Sequence, residues 1–110
     1  MTVKKSFERG GIVLVPFPFS DLSKNKVRPV VVLASDKEDY IFVFITTIKP
    51  KGDLYLDIIP SKHNNLKVLS YIRYTKFASL DSSIVLGKIG ALSTAEFKIL
   101  KKSIKDYLHL

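Results

Sequence analysis

The sequence contains no cysteine, no tryptophan and a single methionine. Without cysteine it cannot form disulfide bonds or thiolate metal sites, and its two histidines, His63 and His109, are too few ligands to bind zinc alone. Long hydrophobic runs are also missing, because the apolar run after the basic segment 1–9 is short and is interrupted by Pro16. We therefore expect a soluble, cytoplasmic protein with no metal or other cofactor and no membrane partner.

Acidic residues are scarce relative to basic ones. The chain has 10 Asp and Glu against 18 Lys and Arg, which gives a formal net charge of +8 on 110 residues. A chain of this length fits one domain, 1–110, and so much positive charge on a small body attracts polyanions. The charge is consistent with a nucleic-acid partner, and equally with a role in solubility, since the sequence has no arginine-rich block.

Short runs rich in β-branched and aromatic residues dominate the sequence. They are bounded by Gly, Pro, Asp, Asn or Ser, which is typical of strands separated by turns. The predicted strands cover residues 11–17, 28–34, 40–47, 54–59, 70–74 and 83–90. Because proline cannot donate to a strand ladder, Pro16, Pro18 and Pro29 should mark strand edges, bulges or starts. The spacing predicts a mainly β protein that forms a small barrel.

The hydrophobic period changes at the C-terminal end of the chain. Ser93 and Glu96 form a capping-box pattern, and apolar residues recur at helical spacing after it. The pattern predicts one amphipathic helix over residues 93–108. Its apolar face contains Phe97, Leu100, Ile104, Tyr107 and Leu108, and its lysines are expected to face solvent.

Polar residues at the ends of the predicted strands are candidates for a binding site. Arg28 opens the second strand, and Thr46 and Thr47 end the third. If these strands are antiparallel neighbours, Arg28 lies beside Thr46 or Thr47, and a guanidinium next to a hydroxyl can bind an anion. Structural roles fit the same residues: Arg28 as a surface or ion-paired cation, the threonines as strand formers and Arg73 as an ion-pair partner of Asp81 or another carboxylate.

Five segments occur in an order and at a spacing that resemble the PemK/MazF family of toxins from toxin–antitoxin pairs. They are GGIVLVPFPFSD, RPVVVLAS, FITT, SYIRYTKFASLD and IGALSTAEF, and the similarity covers roughly residues 10–108. The resemblance implies an SH3-like barrel with a C-terminal helix and a homodimer. It also implies a metal-independent endoribonuclease that acts on single-stranded RNA, is inhibited by a cognate antitoxin, and produces 2′,3′-cyclic phosphate and 5′-hydroxyl ends.

The same resemblance implies roles for individual residues. Arg28, Thr46 and Arg73 occupy the catalytic positions of the family's motifs. Residues expected to contact RNA are Ser20, Asp21, Lys24, Lys26, Thr47, Tyr71, Thr75 and Lys76. Bases of single-stranded RNA would stack on aromatic side chains, for which Phe17, Phe19, Tyr71 and Tyr74 are candidates. DNA can enter a basic groove, but it lacks the attacking 2′-hydroxyl and should not be cut.

The sequence also departs from the family pattern. Gly11 and Thr75 stand where many members have acidic residues, and Asp21 is the carboxylate nearest in sequence to Arg28 that could accept a proton. These departures leave a second hypothesis open, in which the protein is a catalytically weakened relative that binds RNA or an antitoxin without turnover. A non-enzymatic poison of the gyrase-binding CcdB type is a third hypothesis, but those toxins use a tryptophan near the C-terminus that this chain lacks.

Overall fold

The protein is an antiparallel β-sheet of six strands that curls around one C-terminal helix. The computed structural model describes residues 7–17 and 26–110. The strands are β1 (Gly11–Phe17), β2 (Lys26–Asp36), β3 (Asp39–Thr46), β4 (Leu56–Ile58), β5 (Ser70–Asp81) and β6 (Gly87–Ala91), and the helix is α1 (Thr94–Tyr107). The strand order in the sheet is β4-β5-β3-β2-β1-β6. The predicted mainly β class with a C-terminal helix is confirmed.

The two edge strands, β4 and β6, are bridged by the connection between β4 and β5. The backbone N–H of Ala91 donates to the carbonyl of His63 at 2.8 Å, and the side-chain amide of Asn65 donates to the carbonyl of Ile89 at 2.6 Å. Asn64 is fully buried and holds this turn together, since its side chain bonds the backbone of Ser61, Leu66 and Ile59. A loop therefore closes the sheet into a barrel-like shape where a strand pair would close a regular barrel.

Strand β2 has a continuous apolar run because it lies inside the sheet and is covered on both faces. Val30, Val31 and Val32 are all fully buried, which a strand with one solvated face would not show. Alternate residues join two clusters. One cluster is covered by α1 and contains Ile12, Val31, Val43, Ile45, Ile58, Ile72, Tyr74, Leu92 and Leu100; the other contains Val13, Val15, Val30, Val32, Tyr40, Phe42 and Val85.

The two prolines within the described strands lie where a strand has a neighbour on one side only. Pro29 pairs with Leu14 of β1, but the pairing of β2 with β3 begins one residue later, at Val30. Pro16 pairs with β2, but β1 pairs with β6 only as far as Leu14, so Pro16 has no strand neighbour on the β6 side. These positions tolerate a missing backbone donor, as expected from the sequence. Pro18 is outside the described residues.

Five of the six predicted strands have other bounds in the structure, the run 54–59 being reduced to Leu56–Ile58, and the last two differ most. The run 70–74 continues to Asp81, because a bulge lets β5 go on pairing with β3. The predicted start of the last strand at residue 83 is wrong. There the carboxylate of Asp81 accepts a hydrogen bond from the N–H of Ser83 and caps a 3₁₀ turn, Ser82–Ile84, before β6 begins at Gly87.

Helix α1 begins with the predicted capping box. The Ser93 hydroxyl accepts from the N–H of Glu96 at 3.1 Å, and the Glu96 carboxylate accepts from the N–H of Ser93 at 2.8 Å. Leu100 is fully buried, but Tyr107 and Leu108, which were expected on the same apolar face, are exposed at 42% and 46%. Within the described ranges no helix combines the length and the apolar character needed to cross a membrane.

Candidate active site

The strand register brings the three predicted catalytic residues to one face of the sheet. Val30 of β2 pairs with Phe44 of β3, and continuing this register by two residues places Arg28 opposite Thr46. On the other side of β3, Phe44 pairs with Arg73 of β5. Residues that pair across antiparallel strands point to the same face, so Arg28, Thr46 and Arg73 share a face. The predicted antiparallel approach of Arg28 to the end of β3 is therefore observed.

These three residues line an open cleft of about 600 Å³. Its other polar lining residues are Thr75 and Lys76, and its apolar lining consists of Phe44, Ile45, Ile48 and Phe77. Two of the apolar residues are notably exposed, with Ile48 at 77% and Phe77 at 41%. The cleft therefore combines cations and hydroxyls with an apolar wall, as a site for a nucleotide requires.

Thr46 has a hydroxyl whose position is fixed by its own turn. Its Oγ1 accepts a hydrogen bond from the backbone N–H of Ile48 at 3.1 Å. This bond uses a lone pair of the oxygen and leaves the O–H proton available to a ligand. Thr46 can therefore act as a neutral hydrogen-bond donor in the cleft.

A wide bulge in β5 places Thr75 and Lys76 in the cleft. Two consecutive residues of β3, Val43 and Phe44, pair with Phe77 and Arg73 of β5, which are four residues apart. The three residues between them, Tyr74, Thr75 and Lys76, therefore have no partner in β3. The ring of Tyr74 is buried in the core, which rules it out as a stacking surface. Bulges of this kind redirect side chains and are common beside binding sites.

The cleft is positively charged. Arg28, Arg73 and Lys76 are exposed, and none of the described residues that line the cleft is acidic. Within the described part of the chain, Arg28 and Arg73 have no ion-pair partner, so the predicted alternative of an Arg73–Asp81 pair is wrong. Asp81 lies at the far end of β5. An anion is the ligand that this set of side chains fits best.

The opposite end of the sheet is mainly acidic. The β2–β3 hairpin contains Asp36, Glu38 and Asp39 with one cation, Lys37, all exposed, and Asp39 pairs with Asp81 at the end of β5. Strand β3 runs from this acidic end to Thr46, a length of about 25 Å at the usual rise per residue. Along β3, the acidic residues of the hairpin are thus separated from the cations of the cleft.

The other residues expected to contact RNA are distributed less tightly. Lys26 and Thr47 are exposed but do not line the cleft, and Tyr71 is half-buried and pairs with Thr46. Three of the expected RNA contacts, Ser20, Asp21 and Lys24, lie outside the described residues, as does Phe19. Phe17 is described only by its backbone. Among the described residues, no group of three potential metal-ligating side chains occurs.

Two residues near the site were missed by sequence reasoning. Asp57 of β4 pairs with Tyr71, and Tyr55 just before β4 contacts the Tyr71 ring. The signal was present, because the alternation in LYLDII places Tyr55 and Asp57 on the face opposite to the apolar Leu56 and Ile58.

Comparison with known proteins agrees with this fold. A family model described as PemK-like, MazF-like toxin of type II toxin–antitoxin system matches residues 8–108. No curated protein matches the chain by sequence.

Solved structures with the same fold have low sequence identity to the chain. An endoribonuclease in complex with its cognate antitoxin from mycobacterial species has a TM-score of 0.75 at 12% identity and covers 96% of this chain and 97% of its own. The Mycobacterium tuberculosis toxin MazF-mt6 has a TM-score of 0.70 at 18% identity, with 91% and 97% covered. MazF from Deinococcus radiodurans has a TM-score of 0.69 at 14% identity, with 94% and 96% covered. Because the family model spans nearly the whole chain, the protein belongs to the PemK/MazF family of toxins of type II toxin–antitoxin systems.

Proposed function

We propose that this protein is a toxin endoribonuclease that cleaves single-stranded RNA, including messenger RNA, without a metal ion. The observation that carries the proposal is the convergence of Arg28, Thr46 and Arg73 on one open, positively charged cleft. Family membership supports the toxin role, and a structural neighbour is named as an endoribonuclease.

The reaction is an intramolecular transesterification, in which the phosphorus exchanges its bond to O5′ for a bond to O2′. The RNA 2′-hydroxyl attacks the adjacent phosphorus, a P–O2′ bond forms and the P–O5′ bond breaks. The proton leaves O2′ for an acceptor, and O5′ takes a proton as it departs. The products are a 2′,3′-cyclic phosphate and a 5′-hydroxyl, and the step needs stabilisation of the extra charge on the phosphoryl oxygens.

Arg28 and Arg73 fit that need from two sides of β3. A guanidinium stays charged at all working pH values and binds phosphate oxygens through a rigid fork of donors, so it stabilises charge and does not shuttle protons. The O–H of Thr46 would donate to the same oxygens. Asp21, the predicted proton acceptor, lies outside the described residues, and proton transfer to water would give slow cleavage that relies on positioning and charge.

A direct test is to incubate the purified protein with single-stranded RNA in excess chelator. We expect cleavage products with cyclic phosphate ends, and no cleavage where the substrate carries a 2′-deoxy sugar at the scissile position. Arg28→Ala should lower the rate about 100- to 1,000-fold, as expected for loss of a preorganised electrostatic donor. Arg9→Ala is the matched control, because Arg9 is exposed but lies outside the cleft. Cleavage of DNA, or full activity of Arg28→Ala, would contradict the proposal.

A catalytically weakened relative is the second candidate, and one observation favours it. No carboxylate occurs among the residues that line the cleft within the described ranges, and Gly11 and Thr75 replace acidic residues of the family pattern. On this alternative the protein binds RNA or an antitoxin and releases no product. The chelator assay separates the two candidates.

We also propose a homodimer and an acidic antitoxin segment as partners. An acidic segment complements the cations of the cleft and would associate quickly for that reason. Bound there, it would cover Arg28 and Arg73 and block RNA. DNA should bind weakly through the same charges.

A further inference from the structure

The face that carries the cleft continues across β5 to the edge strand β4. Thr46 pairs with Tyr71 of β5, and Tyr71 pairs on its other side with Asp57 of β4. These residues form a row across three strands. At the usual strand spacing Asp57 lies about 10 Å from Thr46 along the row. In a second row, Phe44 pairs with Arg73. Continuing the β4–β5 register by one residue places Tyr55 opposite Arg73, so this row also reaches the edge of the sheet.

Two tyrosines form the centre of this extension. The rings of Tyr55 and Tyr71 meet edge to face, with centroids 5.5 Å apart and planes at 87°. Both side chains are half-buried, so part of each ring is accessible to solvent. Packing against each other restricts their rotation, and a fixed aromatic ring is a suitable surface for stacking a base.

Asp57 provides a carboxylate next to these rings. Its neighbours Leu56 and Ile58 pack into the core beneath α1, so strand alternation places Asp57 on the opposite face, which is that of Tyr71. Because β4 is an edge strand, Asp57 also borders a small pocket beside Glu96 and Ile99 of α1. Asp57 is exposed, and among the described residues its side chain has no hydrogen-bond or ion-pair partner. An ionised carboxylate only accepts hydrogen bonds, so it needs donors from a ligand.

We propose that Tyr55, Tyr71 and Asp57 form a nucleobase subsite beside the phosphate clamp, and that it selects guanine. A base would stack on the tyrosine pair while Asp57 accepts hydrogen bonds from its Watson–Crick edge. Guanine offers two adjacent donors there, N1–H and the N2 amino group, which match the two oxygens of a carboxylate. Uracil offers only N3–H, and adenine and cytosine each offer one amino group.

This inference rests on the proposed function, since it takes RNA as the ligand, but it can be tested without cleavage. The probes are short uridine oligoribonucleotides with one central guanosine, adenosine, cytidine or uridine, all carrying 2′-O-methyl groups that prevent strand scission. Binding is measured by fluorescence anisotropy. We expect the guanosine probe to bind about tenfold more tightly than the others, the discrimination of one good bidentate base contact.

Three variants distinguish the parts of the subsite. Asp57→Asn should abolish the guanosine preference and leave the affinity for the other probes within about twofold. Tyr71→Leu should weaken all probes about tenfold, because stacking tolerates every base. Asp53→Asn, which changes an exposed carboxylate in the turn before β4, should alter nothing. Thermal unfolding identifies any variant that is misfolded, and the wild-type preference provides a test that needs no variant.

The outcomes separate this inference from the proposed function. Equal binding of the four probes by the wild type, or a guanosine preference that persists in Asp57→Asn, overturns the subsite even if RNA is cleaved in the chelator assay. A guanosine preference that disappears in Asp57→Asn supports the subsite even if no cleavage occurs. Failure of every probe to bind would contradict both.

Discussion

Thr46 ends β3, and the turn that follows the strand holds its hydroxyl in place. We therefore expect the hydroxyl to contribute to catalysis. Thr46→Val keeps the shape and removes the donor, and we expect it to slow RNA cleavage about 100-fold, by analogy with the loss of one oxyanion donor. Thr46→Ser should recover most of the rate, because it retains a hydroxyl. Single-turnover kinetics on saturating RNA measure the effect.

Ser79→Ala is the control for this prediction, since it removes a hydroxyl of β5 that is exposed and lies outside the cleft. Thermal unfolding of Thr46→Val separates catalysis from stability, because the Ile48 N–H also loses its acceptor. An unchanged cleavage rate for Thr46→Val would show that the hydroxyl takes no part in catalysis.

Asp81 stabilises the 3₁₀ turn more strongly when it is ionised. The backbone N–H of Ser83 donates to its carboxylate at 2.8 Å and holds the pKa of Asp81 below its ordinary value of 3.8. A carboxyl with a lowered folded-state pKa contributes stability above the unfolded-state pKa and loses it as the pH falls through the folded-state value. We therefore expect Asp81→Ala to be less stable than the wild type at pH 6, and this difference to shrink below about pH 4.

Urea unfolding from pH 6 down to pH 3 measures that difference. Asp53→Ala serves as the control, because no hydrogen bond of its side chain occurs among the described residues. A wild-type advantage over Asp81→Ala that stays constant through acid would show that the cap does not depend on ionisation.

At the scale of elements, β6 depends on the absence of a side chain at Gly90. A Cβ at this position would lie 2.5 Å from the carbonyl oxygen of His63 and 2.6 Å from the backbone of Asn64. Those atoms belong to the turn that closes the sheet, so they cannot move without breaking its hydrogen bonds. We expect Gly90→Ala to lower the free energy of unfolding by about 1 to 3 kcal/mol.

The same strand provides a matched control for this prediction. At Gly87 a Cβ would meet nothing within 4 Å, so Gly87→Ala should leave the free energy of unfolding nearly unchanged. Chemical denaturation of both variants is the measurement. Equal stability of the two would show that the β4–β5 turn is not held against β6.

The elements that the sequence predicted correctly are those set by local chemistry. The capping box fixes the start of α1, and polar residues at the ends of apolar runs placed Arg28 beside Thr46 or Thr47, between which the resemblance to a toxin family chose Thr46. Non-local features were not predictable in the same way. The bulge at Tyr74–Lys76 exists because β5 must keep pairing with β3 on both sides of it, and nothing in the local sequence marks that requirement.

For Asp57, the alternation in LYLDII indicated the face of the strand but not the neighbours across it. Its strand is only three residues long, and its neighbour Tyr71 is distant in sequence, so the relation between them depends on pairing that periodicity does not reveal. The resemblance to a toxin family identified Arg73, Thr75 and Lys76 more directly than any pattern in the residues themselves, and the structure places all three in the cleft.

At the scale of the whole molecule, the cations of the cleft predict how RNA binding depends on salt. If Arg28, Arg73 and Lys76 each neutralise one phosphate, a plot of log binding constant against log salt concentration should have a slope of about −2, at about −0.7 per contact for single strands. Lys76→Ala should reduce the magnitude of the slope by about 0.7. Anisotropy titrations with a non-cleavable uridine oligonucleotide measure both values.

Lys105→Ala is the control for the salt experiment, since Lys105 is an exposed cation on α1 outside the cleft. This variant should lower the RNA binding constant slightly and leave the slope of the salt plot close to the wild-type value. A slope near zero for the wild type would mean that phosphate contacts do not drive RNA binding.

The acidic β2–β3 hairpin and the basic cleft lie at opposite ends of β3, which gives this part of the sheet a local electric dipole. In the field of a nucleic acid such a dipole experiences a torque as well as an attraction, and the torque turns Arg28 and Arg73 toward the strand while the Asp39–Asp81 end turns away. Rotation during approach would then replace part of the random search for a productive orientation. The hairpin of Asp36, Glu38 and Asp39 would in this way influence encounters with RNA without ever contacting it.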